Sequence, residues 1–322
     1  MKNEIIAGID IGGTKIAVAL ADTSGQMLAL ARFPTRLELG PHGVLDDAVK
    51  ELLRMSAELG ARPAAVGIGC GGPLDRRRGL ILSPPNLPGW DEFPVVEIVE
   101  RALKTPALLD NDANASALGE HRRGAGRGFS NIVYLTISTG IGGGIILGGE
   151  LFYGLGDGAG EVGHIPVLLD GGPPCGCGSR GCLESLCSGT GIARRARERL
   201  QEGVQSSLLA NRPGEVTAKL VAEAAREGDP LAQNVWDETI RYLAHGLSGV
   251  VVTLAPEAII LGGGVASAGE QLLAPLRRLL SERVKILPVE QVQILQASLG
   301  GDSGIHGALI LGGQALENIP KG

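Results

Sequence analysis

The chain has 322 residues, enough for one large or two medium domains, each with its own buried core. A net charge of −6 and an aromatic content of 3% argue against a nucleic-acid or anionic-membrane surface. No apolar stretch reaches the roughly 18 to 20 residues of a membrane span. Glycine is the outlier: its 51 residues are about twice what an average usage of roughly 7% gives, which suits close packing and loops that present backbone to a ligand. Met1-Lys2-Asn3-Glu4 leads directly into a strand-like run without a signal-peptide pattern, so the expected compartment is the cytoplasm.

Ile5 to Asp10 is apolar, then come a Gly-Gly turn and a second apolar run, Ile16 to Leu20, which predicts strand, tight turn and strand. Apolar residues at Val44, Leu45, Ala48, Leu52, Leu53 and Met55 predict a helix over 43–59. A strand over 64–68, a helix over 95–103, a strand over 107–109 and a helix over 112–122 follow. The glycine-rich stretch 124–128 is the expected domain boundary, giving an N-terminal lobe over 1–124 and a C-terminal lobe over 125–322, with the final helix free to pack back on the first lobe. After it the opening pattern returns: an apolar run over 131–138, a predicted turn over 139–144 and a further apolar run over 145–147. Helices are expected over 190–200, 217–227, 231–254, 269–283 and 303–316, with strands over 258–261 and 292–295. Alternating strands and helices with a repeated opening predict an α/β class without residue-level repetition.

Three glycine segments carry candidate chemistry. Asp10-Ile11-Gly12-Gly13-Thr14-Lys15 lies at a strand end, where adjacent glycines let backbone N–H groups approach a phosphate. Thr14 and Lys15 add a hydroxyl and a charge, and Asp10 is placed to hold a Mg²⁺-bound water; the alternative is a plain hairpin turn. The spacing is not that of a Walker A loop, and the literal G-x-G-x-x-G at Gly67, Gly69 and Gly72 runs into Pro73 instead of a helix. The second segment, with Ser138, Thr139, Gly140, Gly142 and Gly143, repeats the chemistry of the first, so the pair suggests a nucleotide phosphate chain clamped between two lobes. The third, Gly262, Gly263 and Gly264, suits an adenosine lying on backbone or a simple strand-to-helix turn.

In Asp110-Asn111-Asp112-Ala113-Asn114, the expectation for Asp110 and Asn114 is helix capping, whereas Asp112 is a candidate base for a hydroxyl proton, with Asn111 holding sugar hydroxyls. Five cysteines include Cys175, Cys177 and Cys182 within eight residues, more like a metal site than a disulfide framework in a reducing compartment. A structural zinc needs four ligands, and His164 is the nearest candidate for the fourth. Such an ion would pin a loop carrying Glu161 and Glu184 at its ends. Cys70 and Cys187 read as buried small apolar residues.

Asp10-Ile-Gly-Gly-Thr-Lys15, Ser138-Thr-Gly-Ile-Gly-Gly-Gly144, Asn111-Asp112-Ala-Asn114, Glu161-x-Gly-His164 and Cys175-Gly-Cys-Gly-x-x-Gly-Cys182-x-Glu184 together resemble the motifs of the ROK family (repressor, open reading frame, kinase), and within it the bacterial glucokinases. The resemblance spans essentially the whole chain. It implies a duplicated actin-like, ribonuclease-H-like fold of two lobes, with sugar and ATP meeting in the cleft. It implies that Asp112 takes the proton of the sugar 6-hydroxyl, that Asn111 and Asp112 serve the C3, C4 and C6 side, and that Glu161, His164 and Glu184 bind hydroxyls around C1 and C2. Asn86 matches a further sugar-contacting segment and Gly71 a backbone contact, although Gly69-Cys70-Gly71-Gly72-Pro73 departs from the family's G-x-P-G form. The implied cofactors are ATP with Mg²⁺ and a structural Zn²⁺, and the implied assembly is a homodimer or homotetramer. Glucose is the first expected substrate, with fructose, N-acetylglucosamine and N-acetylmannosamine as alternatives. The family's sugar-responsive regulators carry an N-terminal helix-turn-helix, for which the early first strand leaves no room.

Overall fold

In the computed structural model, which describes residues 4–210 and 213–318, the opening apolar run forms β1 (Ile5–Ile11) and turns back antiparallel as β2 (Lys15–Asp22). Next come β3 (Met27–Pro34), α1 (Gly40–Glu58), β4 (Pro63–Cys70), the short hairpin of β5 (Leu74–Asp75) and β6 (Leu80–Ile81), α2 (Val95–Leu103), β7 (Ala107–Asn111) and α3 (Asp112–Arg123). One sheet takes the order β3-β2-β1-β4-β7, with the first three strands antiparallel and β1, β4 and β7 parallel. A near-continuous apolar strand such as β1 must be covered on both faces. Ile5, Ala7, Ile9 and Ile11 join a core with Val44, Leu45 and Leu52 of α1. Ile6 instead joins Ala17, Ala19, Ile305, Ala308 and Leu309.

The second set of residues belongs to the last helix, α10 below (Ser303–Glu317). The chain divides into two compact units: residues 4–124 together with 301–318, and residues 125–300. The C-terminal helix thus belongs to the first unit, and glycine makes the contact possible. A side chain on Gly67 would run into the carbonyl of Ala308, and one on Gly307 into that of Ala115. The helix therefore lies backbone-close to β4 and α3, and part of the glycine excess is spent here, not on ligand loops.

The second unit begins with β8 (Ile132–Ile137), β9 (Ile141–Leu147) and β10 (Glu150–Leu151). Its helices α4 (Leu183–Cys187), α5 (Gly189–Gln201), α6 (Ala218–Arg226) and α7 (Pro230–Leu254) precede β11 (Ala258–Gly262), α8 (Gly263–Ala266), α9 (Glu270–Arg283) and β12 (Gln293–Gln296); α10 (Ser303–Glu317) ends the described chain. The sheet order β10-β9-β8-β11-β12 repeats that of the first unit, strand for strand. This is the duplicated α/β architecture expected of the actin-like fold.

Two sequence expectations change. The strand β3 was not foreseen, because as an edge strand it alternates half-buried and exposed positions and lacks the apolar density of β1. The turn expected over 139–144 is shorter: Ile141, Gly142, Gly143 and Gly144 lie in β9, paired with Ile137, Thr136, Leu135 and Tyr134. Glycine there answers packing, since a Cβ on Gly143 would come within 2.5 Å of the Gly160 carbonyl. Among the described residues no helix is long and apolar enough to cross a membrane.

Candidate active site

The first glycine hairpin joins β1 to β2. Gly12 N–H donates to the Lys15 carbonyl (3.0 Å), Thr35 N–H donates to the Thr14 carbonyl (3.0 Å), and the Thr35 hydroxyl donates to the Gly12 carbonyl (2.6 Å). The unforeseen β3 thus delivers the residue that clamps the turn. Gly13 is open only because it is glycine: a Cβ there would come within 2.7 Å of the Asn86 carbonyl. That contact brings the segment of Asn86 beside the hairpin. Asp10 is the next-to-last residue of β1. Burial, then the nearby Asp112 carboxylate, push its carboxyl up from 3.8 to about 7, against the pull of Lys15.

Asp112 opens α3 directly after β7. The helix cap is Asn111, whose side-chain oxygen accepts from Ala113 N–H (2.9 Å), and not Asp110 or Asn114 as expected. Asp110 is instead fully buried at the end of β7, where its carboxylate accepts from Asn111 N–H (2.7 Å) and Asn114 Nδ2 (3.0 Å) and faces Arg76 Nε (3.1 Å). A buried carboxylate needs such partners, and they hold the β7–α3 corner rigid. Asp112 is exposed, and its Oδ1 accepts from Ala113 N–H (2.8 Å). Its Oδ2 points toward Gly71, at 3.7 Å from the position a Cβ would occupy, and Asn111 Nδ2 lies 3.4 Å from the corresponding position of Gly72. Asp10, Gly12, Gly13, Lys15, Gly71, Asn86, Asn111 and Asp112 all lie in this one unit. Cys70 is buried, as expected of a small apolar residue.

The second unit holds a cavity of about 710 Å³, in the range of roughly 300–1,000 Å³ usual for small-molecule sites. Ser138 and Thr139 of the second glycine turn line one wall, and Gly264 and Val265 of α8 line another. The three glycines at the junction of β11 and α8 divide the work. A Cβ on Gly262 would come within 2.6 Å of the Tyr134 hydroxyl, and Gly263 has φ +84°, whereas Gly264 faces open space. Gly140 does not line the cavity: a Cβ there would come within 2.5 Å of Glu184 Oε2. Missed in the sequence were, among other lining residues, Thr190, Arg197, Lys219 and Trp236. A signal was present for one of them, since Ser188-Gly189-Thr190-Gly191 is a capped helix start, with Ser188 Oγ accepting from Gly191 N–H (3.1 Å). The others come from separate helices and carry no local signature.

His164, Cys175, Cys177 and Cys182 converge, their ligand atoms all within 4.8 Å of one another. His164 Nδ1 lies 3.4 Å from Cys175 Sγ, and Cys177 Sγ lies 3.7 Å from Cys182 Sγ. A tetrahedral zinc with bonds of about 2.3 Å to sulfur and about 2.0–2.1 Å to nitrogen sets such edges at about 3.6–3.8 Å. The cluster therefore fits zinc, and four N and S ligands leave no open position for chemistry. His164 Nε2 faces Glu161 Oε2 at 3.6 Å, so the ring stands between the cysteine cluster and a carboxylate. Cys187 is buried and apart from this cluster.

The chain matches the model of the ROK family over residues 6–315. The chain belongs to the ROK family. Within ROK it is 36% identical over 327 residues to a glucokinase of Halalkalibacterium halodurans, covering 100% of this chain and 99% of that protein. It is 34% identical over 304 residues to an N-acetylmannosamine kinase of Escherichia coli, covering 94% of this chain and 96% of that one. A crystal structure of a ROK glucokinase from Streptomyces griseus in complex with glucose and AMPPNP superposes with a TM-score of 0.77 at 37% identity, covering 96% of this chain and 99% of that chain. The chain is a ROK sugar kinase by these likenesses, and its His-Cys₃ cluster matches the zinc motif expected from the family resemblance.

Proposed function

We propose that this ROK sugar kinase transfers the γ-phosphoryl group of ATP to the 6-hydroxyl of glucose, with Asp112 as the base. The observation that carries the reading is the placement of Asp112: an exposed carboxylate at the head of α3 on a rigid strand-to-helix corner, with Oδ1 accepting from Ala113 N–H and Oδ2 turned toward Gly71. In the transfer the sugar oxygen bonds to the γ-phosphorus and the bond to the ADP oxygen breaks. The hydroxyl proton goes to the Asp112 carboxylate. Asn111, Asn86 and the Gly71 backbone would hold sugar hydroxyls, and Glu161, His164 and Glu184 are the further sugar contacts of this reading.

The cavity of the second unit is suited to the nucleotide. Its walls mix an apolar floor around Trp236 with the hydroxyls of Ser138, Thr139 and Thr190 and the cation of Arg197. Asp10 fits a divalent cation, because burial, and after it the nearby Asp112 carboxylate, hold its carboxyl at about 7, and added positive charge would favour the ionised form. Mg²⁺ held there would neutralise the phosphates. Glucose is the first reading, ahead of N-acetylmannosamine, because the glucokinase relative is the more identical of the two reported kinases, at 36% against 34%. N-acetylmannosamine is the second reading.

A coupled ADP-release assay over glucose, fructose, mannose, N-acetylglucosamine and N-acetylmannosamine tests the proposal. Turnover of none of them overturns it, and turnover of N-acetylmannosamine ahead of glucose selects the second reading.

A further inference from the structure

The carboxylate of Glu184 faces two ways. Its Oε2 accepts from Ile141 N–H (2.8 Å), at the exit of the second glycine turn, and fills the space a side chain on Gly140 would take. Its Oε1 lies 3.8 Å from Cys175 Sγ, and the residue stands two positions after the metal ligand Cys182 in the first turn of α4. The same stretch of turn is gripped from elsewhere too. Gly163, beside the ligand His164, packs so closely on the Ile141 carbonyl that no side chain fits between them. From α5, Gly189 N–H donates to the Ser138 carbonyl (2.6 Å) and the Thr190 hydroxyl to the Thr139 carbonyl (2.8 Å). Helix α5 is itself tied back to α4 through Ser188 N–H, which donates to the Glu184 carbonyl (3.0 Å). Ser138 and Thr139 are wall residues of the cavity.

We propose that Glu184 is a positioning residue for the nucleotide. Its carboxylate couples the His-Cys₃ knuckle to the Ser138–Gly140 turn, so that filling the metal site sets the wall that Ser138 and Thr139 present to the cavity. The inference rests on reading that cavity as the nucleotide site. A closed four-ligand ion fixes Cys175 and Cys182 in place, and with them the backbone from which Glu184 reaches the turn. A hydrogen bond from a backbone N–H to a carboxylate is charge-assisted, which makes it a stiff link. Coupling of this kind is reciprocal: nucleotide should also tighten the hold on the metal.

The test is calorimetric binding of Mg²⁺–AMPPNP without sugar, on zinc-loaded wild type, chelator-stripped wild type, Glu184→Gln, Glu184→Ala and Gly140→Ala. The expected loss of affinity is about tenfold for the stripped protein, for Glu184→Ala and for Gly140→Ala, the scale of one hydrogen bond to a charged group. Glu184→Gln keeps an oxygen for Ile141 N–H and should stay within about threefold of wild type. Gly140→Ala leaves all four ligands untouched and decides the matter if Glu184→Ala proves unfolded or poor in zinc. If Glu184 serves only sugar hydroxyls, the sugar-free affinity of every variant equals that of wild type, and the proposal is overturned. A wild type that binds no AMPPNP overturns the nucleotide reading of the cavity and this inference with it.

Discussion

The two units place a glycine turn at the same point of the same sheet topology, yet the turns have different surroundings. In the first unit the β1–β2 turn is clamped by a neutral hydroxyl, Thr35, and stands near two carboxylates, Asp10 and Asp112. In the second unit the β8–β9 turn is clamped by a carboxylate, Glu184, and its open side lines a cavity of about 710 Å³. The cause lies in what each sheet carries after its third strand. The first unit inserts one helix, α1, before β4, whereas the second inserts the metal knuckle and α4 to α7 before β11. On the proposed function, a shared backbone device thus stands beside the reaction corner in one copy and forms a binding wall in the other, according to its neighbours.

That division of labour can be broken by mutation, and the largest effect belongs to the reaction corner. Asp112→Ala should lower turnover by about 10²–10⁴-fold, the usual contribution of a positioned base, while AMPPNP binding stays within about twofold. Near-normal turnover would remove Asp112 from the role of base. The opposite pattern is expected on the cavity wall. Gly264→Leu pushes a side chain into open space and should raise the KM for ATP by about 10- to 100-fold, with the KM for sugar nearly unchanged. Equal effects on both constants would dissolve the distinction between the two regions.

The charge around the first turn gives a pH dependence that the second should lack. Asp10 has its carboxyl raised from 3.8 to about 7, so the folded chain keeps a proton that the unfolded chain gives up. The stability this contributes is complete below the unfolded value and is lost as pH rises through about 7. Melting temperatures of metal-loaded, Mg²⁺-free protein should therefore fall by a few degrees between about pH 5 and about pH 8, and Asp10→Asn should flatten that fall. An unchanged slope in the variant assigns the dependence to other groups. The smallest effect is expected at the clamp. Thr35→Ala removes the hydrogen bond to the Gly12 carbonyl and should cost about 1 kcal/mol in denaturant unfolding, with only a minor change in turnover.

Much of the site was legible because its chemistry is local. His164, Cys175, Cys177 and Cys182 are close in sequence, and ligand type with spacing is enough to suggest a four-ligand knuckle. Asp112 could be singled out because a strand runs directly into its helix, although the roles of its neighbours were misjudged. Asp110 looked like a cap and is a buried anchor, because whether a carboxylate is capped or buried depends on Arg76, which arrives from a distant hairpin. Thr35 was unreadable for a similar reason: the strand it follows is a half-exposed edge whose apolar pattern is diluted. The cavity residues Arg197, Lys219 and Trp236 sit on three helices, and no spacing connects them.

The sequence by itself determined the α/β class, the repeated strand-turn-strand opening and the four metal ligands, because strand periodicity, turn glycines and ligand spacing act over a few neighbouring residues. Only the tertiary structure decided which glycines face a ligand and which face another backbone. Gly264 looks into open space, while Gly67, Gly143 and Gly307 are places where two chain segments touch. A missing side chain records only that room was needed, and the occupant of that room is set by distant parts of the chain.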